Sequence, residues 1–231
     1  MDGATILRSP SSAVGDYLKA IWEAADDGVS STKDVADRLS LSKASVTKMF
    51  VRLREMGLVE YQPYRGASLT EDGLWEALRL VRRHRLIETF LLEELGYSWE
   101  DVHEEAEHLE HAVSDRFTER LAELLGHPDH DPHGDPIPAI DGTLEPDGSF
   151  PLSAAAVGQR VRIARVGHED ATLLTYLGER GLVPGRMLTV EEVRVLDGVV
   201  TVEDETGDTF ALGEPLAGEL FVQGASQDNA E

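Results

Sequence analysis

Residues 31–57 read STKDVADRLSLSKASVTKMFVRLREMG, and this stretch decides the fold of the N-terminal part of the chain. A short amphipathic helix begins after Ser31 or Thr32, either of which can cap it, and a tight Ser-Leu-Ser turn follows. A second helix then runs to Gly57, a residue type suited to the position just after a helix end. Its apolar side chains fall on one side and comprise Val46, Met49, Phe50 and Leu53. The spacing predicts a helix-turn-helix, preceded by an amphipathic helix over residues 12–25.

The sequence after this motif, LVEYQPYRGASLT at 58–70, reads as two short strands joined by a turn at residues 64–67. Two strands directly after a helix-turn-helix predict a winged helix. From residue 41 to residue 66 five basic residues stand against two acidic ones, so this part of the chain is the candidate for DNA contact. The candidate side chains from helix position or charge are Lys43, Ser45, Thr47, Lys48, Arg52 and, at the wing tip, Arg65. The alternative is a winged helix that serves only protein contacts or structure.

The composition limits what the rest of the chain can do. The 231 residues suffice for two or three domains, and the formal net charge is −23 at pH 7. This charge argues against a generic nucleic-acid coat, which needs a basic surface, although a high-salt origin is an alternative source of the acidity. The chain has no cysteine, so any metal is held by nitrogen and oxygen. Because no apolar run resembles a signal peptide or a membrane span, we expect a cytoplasmic protein without a membrane partner.

Two long helical patterns follow the wing, at residues 71–96 and 99–125. Long amphipathic helices beside a winged helix suit a homodimer, since DNA half-sites favour two-fold symmetry. A Pro-, Gly- and Asp-rich segment at 127–142 is a linker or an ordered loop, and short alternating strands from 155 to 222 predict a small β-barrel. The predicted fold class is mainly α with β. The predicted domains are a winged helix at 1–74, a helical metal-binding and dimerisation domain at 75–145, a linker at 146–154, the barrel at 155–223 and a disordered tail at 224–231.

Residues 103–111 read HEEAEHLEH, and on a helix four potential metal ligands among them share one face. These are His103, Glu107, Glu110 and His111. Apolar residues normally fill such a face, so imidazoles and carboxylates there are costly unless a cation neutralises them. His84 and Glu88, spaced i, i+4 on the preceding helix, add a second pair. A lone buried histidine is more often a hydrogen-bonded core residue, but the joint pattern favours a metal site between two helices.

Other uses of these residues are weaker. A zinc hydrolase motif H-E-x-x-H begins at His103 and Glu104, but Glu107 stands where the second histidine is needed. A metal-dependent hydrolase with an accessory DNA-binding module is therefore a minor alternative, as is a winged-helix dimer that does not respond to metal. The remaining loop histidines, which are better explained by turn and linker roles, are His127, His130 and His133.

Three segments together resemble the diphtheria toxin repressor family of metal-dependent transcriptional repressors: RRHRLIE at 82–88, VHEEAEHLEHAVSD at 102–115 and GDPIP at 134–138, all after a winged helix. The resemblance covers about residues 12–222. It implies a winged helix that binds double-stranded operator DNA, helices that dimerise and carry metal, and a C-terminal SH3-like domain related to FeoA. The family's DNA contacts fall on Ser42, Ala44, Ser45, Thr47 and Lys48.

The resemblance also implies two metal sites. One consists of Asp16, Glu107, Glu110 and His111. In the iron-sensing branch two of these positions carry methionine and cysteine, so the oxygen ligands here point to manganese and to the manganese transport regulator branch. Some members of that branch have a glutamate where this chain has Lys19. The second site consists of His84, Glu88 and His103, with Asp170 of the SH3-like domain as a helper.

The resemblance thus implies a Mn(II)-activated repressor of metal-uptake genes, with Fe(II), Co(II) or Zn(II) as other ions that the ligands suit, and not an enzyme with a small-molecule substrate. A shared metal would hold the two recognition helices of a dimer about one DNA turn, roughly 34 Å, apart. The main alternative is an iron-responsive repressor of the same family. Activation of transcription is a further open possibility.

Overall fold

The computed structural model describes residues 12–167 and 170–225, and these divide into two compact units. The first contains the chain up to Arg83 together with Pro138–Thr143. The second contains His84–Ile137 and the chain from Leu144 onward. The domain boundaries that the sequence suggests stay a prediction.

The first unit begins with three helices, α1 (Ser12–Glu23), α2 (Thr32–Arg38) and α3 (Lys43–Glu55). Ser31 caps α2 by accepting the backbone N–H of Asp34, and Ser42 caps α3 by accepting that of Ser45. Each serine starts a new helix, and Ser42 starts α3 shortly after α2 ends at Arg38, which makes the helix-turn-helix. The core that these helices share includes Val14, Leu18, Ile21, Val35, Val46, Phe50 and Leu53. The predicted helix-turn-helix is confirmed.

The predicted wing consists of β1 (Val59–Gln62) and β2 (Gly66–Leu69), paired antiparallel. The turn occupies residues 63–65, so the predicted turn at 64–67 began one residue late and ended two residues late; Gly66 already pairs with Gln62. The Tyr61 ring lies 5.3 Å from the Phe50 ring of α3. This contact fastens the wing to the second helix of the motif.

The helical region consists of α4 (Glu71–Glu93), α5 (Val102–Leu109) and α6 (Asp115–Leu124). The prediction of one helix over 99–125 is wrong, because the chain turns at residues 110–114 and the Ser114 hydroxyl starts α6 by accepting the N–H of Phe117. The apolar core here comprises Leu86, Ile87, Leu91, Val102, Ala106, Leu121, Ala122 and Ile137. Among the described residues, no helix combines the length and the apolar character that crossing a bilayer requires.

The C-terminal part is a six-stranded antiparallel sheet in the order β3-β8-β4-β5-β6-β7. Its elements are β3 (Phe150–Pro151), β4 (Arg160–Val166), α7 (Ala171–Gly178), β5 (Met187–Arg194), β6 (Val199–Asp204), β7 (Thr209–Gly213), α8 (Glu214–Glu219) and β8 (Leu220–Gly224). Register shifts at 163–165 and 190–192 bend β4 and β5 around one apolar core. The predicted strands and the short helix near residue 171 are confirmed. Of the predicted tail, residues 226–231 lie outside the described part of the chain.

The segment 126–137 is an ordered loop held between the helices and the sheet of the second unit. The Trp99 indole donates to the Pro132 carbonyl at 2.8 Å, and the Val166 N–H of β4 donates to the His133 carbonyl at 2.9 Å. At Gly134, which has a φ of +89°, an added Cβ would lie 2.0 Å from the Ala164 carbonyl oxygen. Only glycine allows this approach of the loop to β4.

We expect Gly134→Ala to destabilise the second unit more than Gly126→Ala. Both glycines have a positive φ, but an added Cβ at Gly126 meets nothing within 4 Å. The strained φ costs about 1–2 kcal/mol at either position, and overpacking adds about 1–3 kcal/mol at Gly134 alone. Chemical unfolding of the two variants measures the difference. Equal losses would show that the loop does not depend on the close approach to Ala164.

Candidate metal centre

His84 and Glu88 lie one turn apart on α4 and are almost completely buried, at 3% and 0% exposure. The His84 ring stands between two carboxylates: its Nε2 is 2.8 Å from Glu88 Oε1 and its Nδ1 is 2.7 Å from Glu110 Oε2. A carboxylate accepts hydrogen bonds and cannot donate them, so both ring nitrogens are drawn toward acceptors. The site is therefore rich in negative charge and in lone pairs.

His103, near the start of α5, completes the first group of candidate ligands. Its Nδ1 lies 3.1 Å from Glu88 Oε1 and 3.1 Å from His84 Nε2. Burial raises the pKa of Glu88, but the charge of His84 and the hydrogen bonds from both histidines outweigh it and hold the pKa well below its ordinary value. The ligand atoms of His84, Glu88 and His103 lie within 4.8 Å of one another. The prediction that these three residues come together in space agrees with this geometry.

A second group forms on the other side of the His84 ring. Glu107 Oε1 lies 3.8 Å from His84 Nδ1, and buried Glu110 lies at the C-terminal end of α5. His111 Nε2 is 3.3 Å from Glu110 Oε1, but His111 belongs to the turn after α5. The expectation that all four residues of the stripe share one helix face is corrected, because Glu110 caps α5 and His111 lies in the turn beyond it, although the turn keeps His111 beside Glu110.

A third group was missed as a metal site by sequence reasoning. Glu88, Asp131 and His133 are all buried, and their ligand atoms lie within 4.8 Å of one another. The sequence argument assigned His133 to a turn role together with His127 and His130, which are both exposed. The available signal was the spacing of Asp131 and His133 two residues apart in D-P-H, immediately before the G-D-P-I-P segment.

The hydrogen bonds of His133 assign its proton. Its Nε2 lies 3.0 Å from the Trp99 carbonyl oxygen, which can only accept, so Nε2 carries the hydrogen. Nδ1 is then the nitrogen that can offer a lone pair to a metal. Within the described part of the chain, buried His133 Nδ1 and Glu88 Oε2 have no hydrogen-bond partner. A histidine fixed by a carbonyl on one nitrogen and bare on the other is the usual arrangement of a metal ligand.

The Asp131 carboxylate of this group is held in an electrostatically unfavourable position. Its Oδ1 accepts the N–H groups of His133 and Asp135 at 2.8 and 2.9 Å. Burial and the negative charges of Glu88 and Asp135 raise the pKa of Asp131 well above its ordinary value, and Arg85, at 3.4 Å, offsets only part of this. A cation between Glu88, Asp131 and His133 would remove the penalty. The residues present therefore fit a divalent metal with nitrogen and oxygen ligands.

Two predicted metal ligands lie apart from these groups in the sequence. Asp16 is on α1 in the first unit and is partly buried. Asp170 is exposed and caps α7, where its Oδ1 accepts the N–H of Leu173 at 3.1 Å. Asp170 is in none of the groups of three or more potential ligands that the described residues form. The metal-binding roles of Asp16 and Asp170 stay predictions.

The predicted DNA-contacting side chains are all exposed in the first unit. On α3 and at its cap these are Ser42, Lys43, Ala44, Ser45, Thr47, Lys48 and Arg52, and Arg65 is exposed on the wing. The Thr47 hydroxyl donates to the Lys43 carbonyl at 2.9 Å, and the Ser42 and Ser45 hydroxyls are 2.9 Å apart. These hydroxyls are engaged within the helix, which leaves the basic side chains as the extended groups of this face.

Three family models match the chain in order. They are described as the N-terminal DNA binding domain of iron dependent repressors at residues 11–67, their metal binding and dimerisation domain at 70–139, and the FeoA domain at 150–224. The chain belongs to the diphtheria toxin repressor family. Members of this family are metal-dependent DNA-binding transcriptional repressors, and the predicted fold class and family are confirmed.

Relatives in this family include repressors named for iron and repressors named for manganese. The iron-dependent repressor IdeR of Mycobacterium bovis is 30% identical over 220 residues, which cover 90% of this chain and 95% of IdeR. The diphtheria toxin repressor of Corynebacterium glutamicum is 32% identical over 220 residues, covering 90% and 94%. The solved structure of a manganese-dependent transcriptional repressor in complex with manganese is 40% identical, with a TM-score of 0.86 and coverage of 92% of this chain and all of that one.

We expect Asp131→Asn to stabilise the metal-free protein and to weaken its response to metal. An acid whose pKa is raised in the folded state destabilises that state above the folded pKa, and the penalty disappears as the pH falls and the group takes up a proton. The variant should therefore melt a few degrees above the wild type at about pH 7.5, with a smaller advantage at about pH 5. Added Mn(II) should raise the melting temperature of the variant less than that of the wild type.

Scanning calorimetry with and without Mn(II) measures both effects, and Asp129→Asn, an exposed aspartate of the same loop, is the control. A variant that is less stable than the wild type without metal, with an unchanged response to Mn(II), would contradict the assignment of Asp131 to the metal centre.

Proposed function

We propose that this protein is a Mn(II)-activated repressor that binds the operators of metal-uptake genes as a homodimer in the cytoplasm. The observation that carries the proposal is the buried cluster around Glu88, in which the ligand atoms of Glu88, Asp131 and His133 lie within 4.8 Å of one another. In the proposal the metal acts as corepressor and not as catalyst. The family's DNA-binding and dimerisation domains support the DNA and homodimer partners.

The donor set supports a hard or borderline divalent ion. The chain has no cysteine, and its four methionines lie at positions 1, 49, 56 and 187, away in sequence from every candidate ligand. Oxygen and imidazole ligands suit Mn(II) and Fe(II), whereas thiolate and thioether ligands favour softer ions. The 40% identity to a repressor solved with manganese supports manganese over iron, although two iron-dependent repressors IdeR share 30–32% identity with this chain.

The proposed mechanism uses the metal to select a DNA-binding arrangement of the dimer. On the family resemblance, Asp16 of the first helix joins Glu107, Glu110 and His111 as ligands. Without metal, the three carboxylates repel one another; with metal, the arrangement that brings them and His111 together is favoured. Moving an equilibrium from 1:99 to 99:1 requires about 5.5 kcal/mol of preferential binding, which a four-ligand metal site can supply.

We expect Mn(II) to activate DNA binding by the metal-stripped full chain, and the double change Asp16→Met/Glu107→Cys to shift the preference toward Fe(II). The two changes restore the soft donors of the iron-sensing branch. Fluorescence anisotropy with a duplex from the chain's own upstream region, titrated anaerobically with each ion, measures the effect. For each ion, the free concentration that activates the wild type is compared with the cellular supply of that ion. If this ratio is lower for Fe(II) than for Mn(II), the iron-responsive alternative is correct.

We expect Glu110→Gln to raise the free Mn(II) concentration for half-maximal DNA binding at least about tenfold, since it removes a buried ligand charge without changing shape. Glu104→Gln is the matched control, because Glu104 is an exposed glutamate of the same helix. The same anisotropy assay compares both variants. If Glu110→Gln responds to Mn(II) as Glu104→Gln does, Glu110 is not a ligand of the activating metal.

A further inference from the structure

The tip of the wing holds a side chain that neither the fold nor the metal site requires. The Arg65 N–H donates to the Gln62 carbonyl at 3.1 Å and closes a four-residue turn with Pro63 and Tyr64 in its centre. Tyr64 has a φ of +68°, in the left-handed region where glycine or asparagine is favoured. A bulky aromatic residue at this position strains the turn.

Burial does not compensate for this strain. Tyr64 is fully exposed, whereas Tyr61, three residues earlier, packs its ring on Phe50 in the core. The turn therefore presents an aromatic ring to its surroundings. A strained conformation combined with full exposure is characteristic of a residue that serves a contact with another molecule.

The wing is held firmly enough to present this ring. The Tyr61–Phe50 contact and the bond from the Leu58 N–H to the Leu53 carbonyl, at 3.0 Å, fix β1 to the end of α3. On the other strand, Ala67 and Ser30 exchange backbone hydrogen bonds at 2.8 and 3.0 Å. The ring is thus anchored to the same domain that carries Lys48, Arg52 and Arg65, and these basic side chains identify DNA as the partner.

We propose that Tyr64 is a contact residue for the DNA sugar–phosphate backbone, with its ring against a deoxyribose and its hydroxyl donating to a phosphate oxygen. This inference rests on the proposed function, since it names a further residue of the same DNA-binding surface. A phenol is neutral, so its contribution differs from that of Arg65: it strengthens binding without releasing a counterion. A backbone contact carries no direct sequence information, so it acts on every duplex.

The test compares the full Mn(II)-loaded chain with Tyr64→Asn, Tyr64→Phe and Arg65→Ala on the upstream duplex and on an unrelated duplex of equal length, over a series of salt concentrations. Tyr64→Asn should bind both duplexes about tenfold more weakly, the loss expected for a hydrogen bond to a charged group, and Tyr64→Phe should lie between it and the wild type. The salt dependence should stay unchanged for both Tyr64 variants and fall by about one unit of slope for Arg65→Ala. Tyr97→Asn, in a partly exposed loop outside the wing, is the control and should retain wild-type affinity.

The thermal stability of Tyr64→Asn should equal or exceed that of the wild type, because asparagine tolerates the left-handed turn. Binding within twofold of the wild type for both Tyr64 variants would overturn the proposal, and a loss confined to the upstream duplex would overturn the backbone assignment. Equal DNA binding with and without Mn(II) in the wild type would refute the proposed function alone, while the Tyr64 comparison would still decide the wing contact. A wild type that binds neither duplex would refute both.

Discussion

The buried carboxylate of Glu88 is the constraint on which the second unit depends. One of its oxygens lies within 3.1 Å of both His84 and His103, and its other side faces the Asp131 and His133 group. Removing an ionised carboxylate from water is expensive unless opposite charge and hydrogen bonds surround it. The hydrogen bonds from two imidazoles and the charge of His84 supply part of this. Asp131, also buried, adds negative charge and leaves an electrostatic imbalance that a divalent cation would correct.

The loop that carries Asp131 and His133 ties this centre to the C-terminal sheet. The His133 ring bonds to the Trp99 carbonyl, and the His133 carbonyl accepts the N–H of Val166 in β4. The Trp99 ring packs against the apolar core of the sheet, and Asp135 lies 3.6 Å from Arg165 of β4. The same few residues therefore position the ligand atoms and dock the sheet. Gly134 belongs to the same contact, because an added Cβ there would collide with the Ala164 carbonyl of β4.

Local sequence signals predicted most of the first unit because its structure is locally encoded. Ser31 and Ser42 are helix caps that can be identified from spacing alone, and the alternation around Tyr61 identifies the wing. The break at residues 110–114 was missed because the apolar and ligand periodicity continues across it, and only the Ser114 cap reveals the start of a new helix. The Asp131 and His133 group could not be derived from periodicity, since a loop has none. Its chemistry becomes visible only when the fold buries both side chains beside Glu88.

The magnitude of the charges decides how metal can act on DNA binding. The chain has a formal charge of −23, and two divalent ions would remove only about four of these charges. At physiological ionic strength the field of a charge is screened over about 8 Å. Such a small change in the net charge of the protein therefore cannot produce a large change in its attraction to DNA. Preferential binding of the ion to one arrangement of its ligands has no such limit, because buried ligands are screened far less. This difference supports the proposed mechanism, in which metal acts by selecting one arrangement of its ligands and leaves the overall charge nearly unchanged.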